Sequence, residues 1–457
     1  MIRFIDRKEE LKMLNEDWKR QENAFVVVYG RRRIGKTTLL NEFIKDKEGI
    51  KYTTEDTSKK VQIKEFKQII AQYLNDTFLM KQEIEEWSAL YAYLEKVMPK
   101  DKKMYLWIDE FSYIVKNDPS ATSALQKFID NWVRNSKIFF IVSGSLFGLM
   151  SEKILSHASP LYGRRTRDIL LKQIPPQYIA DFLGMDFEDA LKTMLTIGGV
   201  PEYLRVSAKW KTYEEFLNEE FLRKDGYFYR ELSFLLSQEF KEIRTYFSIL
   251  NAVSYGNTKP GEIADFVGMN PKEIYPYLEL LINYGFIKKV LPIVGSKKKG
   301  IYFIDDSFVD MWFNIVHKNR ERIEKNSGQI AKEELHQLLG KRFEIFVRDN
   351  INAFFPDYER SGKWWYGDKE IDLIALNEKK KEMLIAECKW KEDIESEKIV
   401  KLLAEKAKSV EWNNEERKEV FAIFARSFKK KITSWEDKRV YCLDLRDIEK
   451  ALTRERE

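Results

Sequence analysis

Eight consecutive residues, Gly30-Arg31-Arg32-Arg33-Ile34-Gly35-Lys36-Thr37, have the spacing G-x-x-x-x-G-K-[ST]. Those residue types in that order suit one task, holding a polyphosphate. The two glycines let backbone N–H groups curl around an anion, and a helix starting at the end of the run points its positive pole at the same anion. Lys36 is placed to reach the β- and γ-phosphates. The Thr37 hydroxyl is placed to ligate Mg2+, and Thr38 follows in the first helical turn. The elements needed to position such a loop are legible on both sides. Ala24-Phe25-Val26-Val27-Val28-Tyr29 is an apolar, β-branched run that predicts a buried strand, and Thr38 to Ile44 predicts an amphipathic helix. A glycine-rich turn with a surface lysine would need neither.

A bound nucleotide triphosphate calls for hydrolytic machinery. Met104 to Glu110 predicts a strand ending in two carboxylates. Asp109 is placed to hold Mg2+ through water, and Glu110 to polarise the attacking water. A further strand, Lys137 to Ser143, ends in Ser143-Gly144-Ser145. There a small polar group either contacts the γ-phosphate or lytic water, or caps the next helix. Arg164, Arg165 and Arg167 are candidates for neutralising phosphate charge, in cis or from a neighbouring subunit, or form a solvated basic turn. The run Gly198-Gly199-Val200-Pro201 demands a specific backbone path, which suggests a wall of the nucleotide pocket.

Together with the opening Phe4-Ile5-Asp6-Arg7-Lys8-Glu9-Glu10-Leu11, these motifs resemble the archaeal AAA-type P-loop ATPases. That family is related to the signal-transducing (STAND-like) P-loop ATPases and to origin-recognition proteins. The resemblance implies an α/β P-loop ATPase core, ATP as the bound nucleotide with ADP as its product, and Pro201 near the adenine.

Beyond the core, Pro260 to Gly268 and Asn270 to Leu281 predict two helices, the second with an Asn cap and Pro271 in its first turn. A hairpin follows, tipped by Lys297-Lys298-Lys299. Helix, turn, helix and basic hairpin describe a winged helix that either binds DNA or packs against protein. With Glu273, Glu279 and Pro276 on it, the second helix is poorly equipped for sequence readout.

Near the C-terminus Asp372 enters one predicted strand, and Glu387 and Lys389 share a face of the next. Two carboxylates and a lysine on one surface can hold Mg2+ or Mn2+ and orient a water for phosphodiester hydrolysis. Glu344, on a preceding helix, adds a third acid. The alternatives are a salt-bridge ladder, with Lys389 on Glu387 or Asp372, and a fold kept for binding alone. The E…D…ExK order and its helix–hairpin–strand–helix–strand setting resemble the PD-(D/E)xK nuclease superfamily. The pair Trp364-Trp365 can stack on a nucleic-acid base or pack in the core.

Composition sets the bounds. With 457 residues, the chain has room for several domains with ample core, and 33% charged with 14% aromatic residues excludes a disordered polymer. A net charge of +5 permits nucleic acid without requiring it. Two cysteines without metal spacing and three scattered histidines offer no zinc site and fit a reducing cytoplasm. No apolar run reaches the roughly 20 residues of a membrane span.

The expected order is a P-loop ATPase core (1–175), a helical lid (176–233), a winged helix (234–304), a connector (305–334) and a C-terminal α/β PD-(D/E)xK-like domain (335–457). Three functions fit it: an ATP-regulated, metal-dependent nuclease acting on DNA, an ATP-switched DNA-binding regulator with an inert nuclease fold, and a signalling scaffold assembled by ATP.

Overall fold

The computed structural model describes residues 6–20, 22–145, 150, 154–295, 300–325 and 332–454. Phe4, Ile5 and the lysines of the hairpin tip lie outside the described residues. The chain divides into two compact units, one of residues 1–173 with 200–202, the other of residues 174–199 with 203–457.

The first unit is built on five strands: β1 (Ala24–Tyr29), β2 (Gly49–Thr53), β3 (Met104–Asp109), β4 (Ile138–Gly144) and β5 (Arg167–Leu170). All pair in parallel, in the order β2-β3-β4-β1-β5. Parallel sheets are covered on both faces, which is why β1, β3 and β4 read as unbroken apolar runs. One face packs Phe25, Val27, Ile108 and Phe140 against the helices Lys59–Leu74, Trp87–Val97 and Ala121–Asn131. The other packs Val26, Val28, Trp107 and Ile141 against Leu39, Leu40 and Phe43 of the helix Lys36–Ile44. Because the strands run the same way, Tyr29, Asp109 and Gly144 all end at one edge, where ligands of open α/β sheets bind. The registers set Ser143 of β4 opposite Val28 of β1 and next in line to Asp109 of β3.

In the second unit, the helices Ile243–Ser254, Pro260–Val267 and Ile274–Asn283 lead into an antiparallel hairpin, β6 (Ile287–Val290) and β7 (Ile301–Ile304). Gly268 closes the middle helix at φ 72°. The third helix starts later than its sequence suggests. Asn270 accepts a bond from Lys272 N within a turn, so it caps the turn and leaves the helix to begin at Ile274.

Beyond them lies a six-stranded sheet made of β8 (Arg360–Tyr366), β9 (Lys369–Asn377), β10 (Glu382–Lys389), β12 (Lys418–Ala425), β14 (Ser434–Trp435) and β15 (Lys438–Leu443); β11 (Ile394–Glu395) and β13 (Phe428–Lys430) form a separate short pair. The order is β14-β15-β12-β10-β9-β8, antiparallel at both ends and parallel between β10, β12 and β15. Side chains alternate faces along each strand. Leu384, Ala386 and Leu373 meet Phe343, Phe346 and Val347 of the helix Lys332–Asp349 on one face. Met383, Ile385 and Ile374 meet Val400, Leu403 and Ala407 of the helix Ser396–Ala407 on the other. No described helix is long and apolar enough to cross a membrane.

Candidate functional site

The phosphate loop is held by its own backbone. Gly30 sits at φ 151°, and a Cβ there would lie 2.7 Å from the Leu171 carbonyl oxygen, so only glycine passes. Gly35 (φ 88°) and Arg33 (φ 66°) take left-handed conformations that turn the chain into the helix Lys36–Ile44. Lys36 is 4% exposed, and its ammonium donates to the carbonyls of Gly30 (3.0 Å) and Arg31 (2.9 Å), inside the hollow of the loop. The Pro201 ring lies 3.9 Å from where a Cβ on Gly35 would stand, and Glu202 N donates to the Arg33 carbonyl. Thus the proline of the Gly-Gly-Val-Pro run does flank the loop.

The two carboxylates after β3 are each clamped by hydroxyls. Thr37 Oγ1 donates to Asp109 Oδ2 at 2.9 Å, and Ser143 Oγ donates to Asp109 Oδ1 at 2.6 Å. Trp107 Nε1 in turn donates to Ser143 Oγ at 2.7 Å. Glu110 turns away through a left-handed φ of 55°, and its Oε2 accepts from Ser145 N and Oγ, at 3.0 and 2.6 Å. Among the described residues both serines hold carboxylates.

Arg164 is engaged elsewhere. Its guanidinium donates twice to Asp130 and once to the Pro160 carbonyl, and this partner keeps the Asp130 carboxyl below its ordinary range. Arg167 likewise pairs with Asp17. Sequence reasoning left three supports without a role: Arg7, Trp107 and Tyr113. Arg7 donates to the Lys172 carbonyl (2.7 Å) and to Ile34 of the loop (3.5 Å), and Tyr113 accepts from Arg32. The Trp107 contact had a signal in the sequence, because residues two apart on a strand share a face and so point Trp107 and Asp109 the same way.

The second cluster is brought together by the six-stranded sheet. Leu373 of β9 pairs with Ala386 of β10, which carries Asp372 and Glu387 to neighbouring places at the end of that ladder. Asp372 Oδ2 accepts from Cys388 N at 2.9 Å. Glu387 accepts from Lys389 (2.6 Å) through Oε1 and from Lys406 (3.2 Å) through Oε2. Lys389 therefore pairs with Glu387, not Asp372. Burial, and then the charge of Glu387, push the Asp372 carboxyl up to about 6. Burial, and then Asp372, push Glu344 up to about 7. The four residues singled out, Glu344, Asp372, Glu387 and Lys389, thus interact electrostatically in the folded chain. Among the described residues, no three His, Cys, Asp or Glu side chains close on a common metal position.

The two clusters fall in different family matches. Residues 4–205 match a family described as an ATPase domain predominantly from Archaea, and residues 312–408 match one described as archaeal and bacterial proteins of unknown function. An uncharacterised protein of Methanocaldococcus jannaschii is 34% identical over 459 aligned positions, spanning 97% of this chain and 100% of that protein. An uncharacterised ATP-binding protein of Pyrococcus horikoshii is 27% identical over 249 residues, 46% of this chain and 76% of that one. In structure, a Walker-type ATPase of Pyrococcus abyssi superposes with a TM-score of 0.52 at 21% identity, covering 68% of this chain and 96% of its own, a likeness of fold. The full-length kinship and the match across the phosphate loop place the chain in the archaeal P-loop ATPase family.

Proposed function

We infer that the chain binds and hydrolyses ATP at the phosphate loop and carries, in its C-terminal sheet, a second site that cleaves DNA with a divalent cation under nucleotide control. The ATPase half rests on the linked chain Thr37–Asp109–Ser143–Trp107 at the carboxyl edge of the parallel sheet. Backbone N–H groups of the loop and the N-terminus of the helix Lys36–Ile44 receive the β-phosphate. Lys36 exchanges the carbonyls of Gly30 and Arg31 for phosphate oxygens. Thr37 and Asp109 offer two hard oxygens at one place, a donor set suited to Mg2+, which when bound neutralises charge developing on the phosphates. Glu110 leaves Ser145 to orient the attacking water, and Pro201 borders the base.

The nuclease half rests on the placement of Asp372 and Glu387 on adjoining strands, with Lys389 bonded to Glu387 and Glu344 within electrostatic reach of Asp372. Buried like charges of this kind gain from a divalent cation between them, and carboxylates are the right ligands for Mg2+ or Mn2+. Lys389 would then stabilise charge on the scissile phosphate. The corresponding layout is an ATPase core, a helical lid, a winged helix formed by the three helices with β6 and β7, a connector, and a nuclease-like domain from residue 335. One observation favours a DNA-binding regulator with an inert C-terminal fold: both oxygens of Glu387 are already taken by lysines.

Labelled single- and double-stranded DNA, incubated with Mg2+ or Mn2+ with and without ATP, tests the reading. Cleavage lost in Asp372→Ala and altered in its ATP response by Lys36→Ala supports it. Salt-sensitive DNA retention without cleavage selects the regulator. Neither retention nor cleavage leaves an ATP-assembled scaffold.

A further inference from the structure

A cavity of about 150 Å³ opens at β8, in the sheet that carries the carboxylate cluster. Pro292, Val294, Trp364, Trp365 and Tyr366 line it, with Ser409 and Glu411 at its polar side. At roughly 30 Å³ per water it has room for about five waters, well below the roughly 300 Å³ of the smallest drug-sized pockets. That is the scale of a single planar heterocycle. Its walls are largely aromatic, and Tyr366 is 65% exposed. Trp364 is the exception, 3% exposed and packed with Ile371 and Ile374. Both tryptophans line the cavity, Trp364 buried in the core and Trp365 half-buried.

The same elements build the cavity and the carboxylate cluster. Trp364 of β8 pairs with Ile371 of β9, one residue before Asp372. Ser409 follows the helix Ser396–Ala407, whose Lys406 binds Glu387. Cavity and cluster therefore share the β8–β9 ladder and the helix Ser396–Ala407 with the segment that follows it. Two lysines stand near, Lys363, which also pairs with Glu370 at 3.1 Å, and Lys369. Lys363 acts on both Glu344 and Asp372, and Lys369 Nζ donates to Ser409 Oγ at 2.8 Å.

We propose that this cavity holds one unpaired base of a single DNA strand and thereby sets the strand's phosphate at the carboxylate cluster. The substrate class is single-stranded DNA, or the single-stranded part of a branched one. Bases inside a duplex have both faces stacked and their edges paired, so a one-ring aromatic slot is closed to them. Ser409 and Glu411 offer hydrogen-bonding groups to a base edge, while the aromatic faces accept any base. The proposal names the substrate of the nuclease reading and rests on it.

The test uses the full chain and a fluorescently labelled dT20 oligonucleotide in Ca2+, with the duplex dT20·dA20 and free thymidine monophosphate as competitors. The expected result is that dT20 binds at least about tenfold tighter than the duplex, that the mononucleotide fails to displace it, and that Trp365→Ala weakens dT20 roughly tenfold without changing duplex affinity. Trp365→Phe should restore most of the binding, and ATP turnover and melting temperature report whether each variant is folded. Equal affinity for strand and duplex, displacement by the mononucleotide, or an unchanged affinity in Trp365→Ala overturns the proposal. Asp372→Asn separates the two ideas. Strand-selective binding with no cleavage by the parent in Mn2+ sinks the nuclease reading alone. Cleavage of duplex without strand-selective binding sinks the base pocket alone.

Discussion

Asp109 and Asp372 are the same residue near the same kind of element, a buried strand in an α/β sheet, and they live in opposite surroundings. Asp109 is met by hydroxyls, Thr37 on one oxygen and Ser143 on the other, with Glu110 N as a third donor. Asp372 has one backbone donor, Cys388 N, and acidic neighbours in Glu387 and Glu344. Neutral donors fix the position of a carboxylate before any ligand arrives. Acidic neighbours push the proton on. The first arrangement is pre-organised for a nucleotide. The second is held short of full charge and gains from a cation.

The largest effects should therefore fall on activity and stay on their own side of the comparison. Lys36→Ala removes the ammonium buried in the phosphate loop's hollow and should lower ATP turnover on the order of 100-fold or more. Asp372→Asn should lower metal-dependent DNA cleavage by a similar factor while leaving ATP turnover unchanged. A steady-state phosphate-release assay beside a gel-based cleavage assay reads both. ATP turnover that falls in Asp372→Asn would break the comparison.

Next in size is the response to metal without nucleotide. If repulsion defines the C-terminal cluster, Mn2+ at about 100 times its dissociation constant should stabilise the folded chain by roughly 2.7 kcal/mol. Differential scanning calorimetry should show this as a higher melting temperature in the parent and no rise in Asp372→Asn. An equal rise in both would put the metal elsewhere.

The pH dependence sharpens the contrast further. Glu344 has an ordinary value of 4.5 and is pushed up to about 7 by burial and then by Asp372. Between those values the folded chain keeps a proton that the unfolded chain has released. Stability then falls as pH rises through that window, and the full penalty is present above it. Glu344→Gln should consequently be neutral near pH 4 and stabilising by roughly 2 kcal/mol at pH 8, allowing for its partial exposure. Urea titrations at the two pH values check it, and a gain at pH 4 as large as that at pH 8 would show a packing effect instead.

The two regions also differ in how far they could be read from the chain. The phosphate loop is contiguous, and its chemistry is backbone chemistry, so Gly30, Gly35, Lys36 and Thr37 announce it. Strands β1, β3 and β4 were equally plain because burial on both faces makes their runs uniformly apolar. What stayed hidden was lateral. Arg7 reaches Lys172 across the chain, Tyr113 meets Arg32, and Arg164 goes to Asp130, none of which spacing can reveal. In the second unit the E…D…ExK order is visible, but that Glu387 takes both Lys389 and Lys406 depends on a helix residue nineteen positions on, and β14 is two residues long, too short to stand out. Ser143 reads as a phosphate contact or a cap, and the register of β4 between β1 and β3 adds to either a brace on Asp109.

That brace gives the smallest and most pointed prediction. Ser143 Oγ is shared between Trp107 Nε1 and Asp109 Oδ1, and its residue is fully buried. Ser143→Ala removes one donor from Asp109 and leaves the buried indole N–H without its partner. An unpaired buried donor costs about 1–3 kcal/mol, so thermal stability should fall by that order. ATP turnover should fall less, roughly fivefold, because Thr37 still holds the other carboxylate oxygen. Adding Trp107→Phe removes the orphaned N–H and should recover part of the stability while leaving turnover where Ser143→Ala put it. Recovery of both together would mean that the serine only fills space, and that Asp109 does not depend on its donors in the way that sets it apart from Asp372.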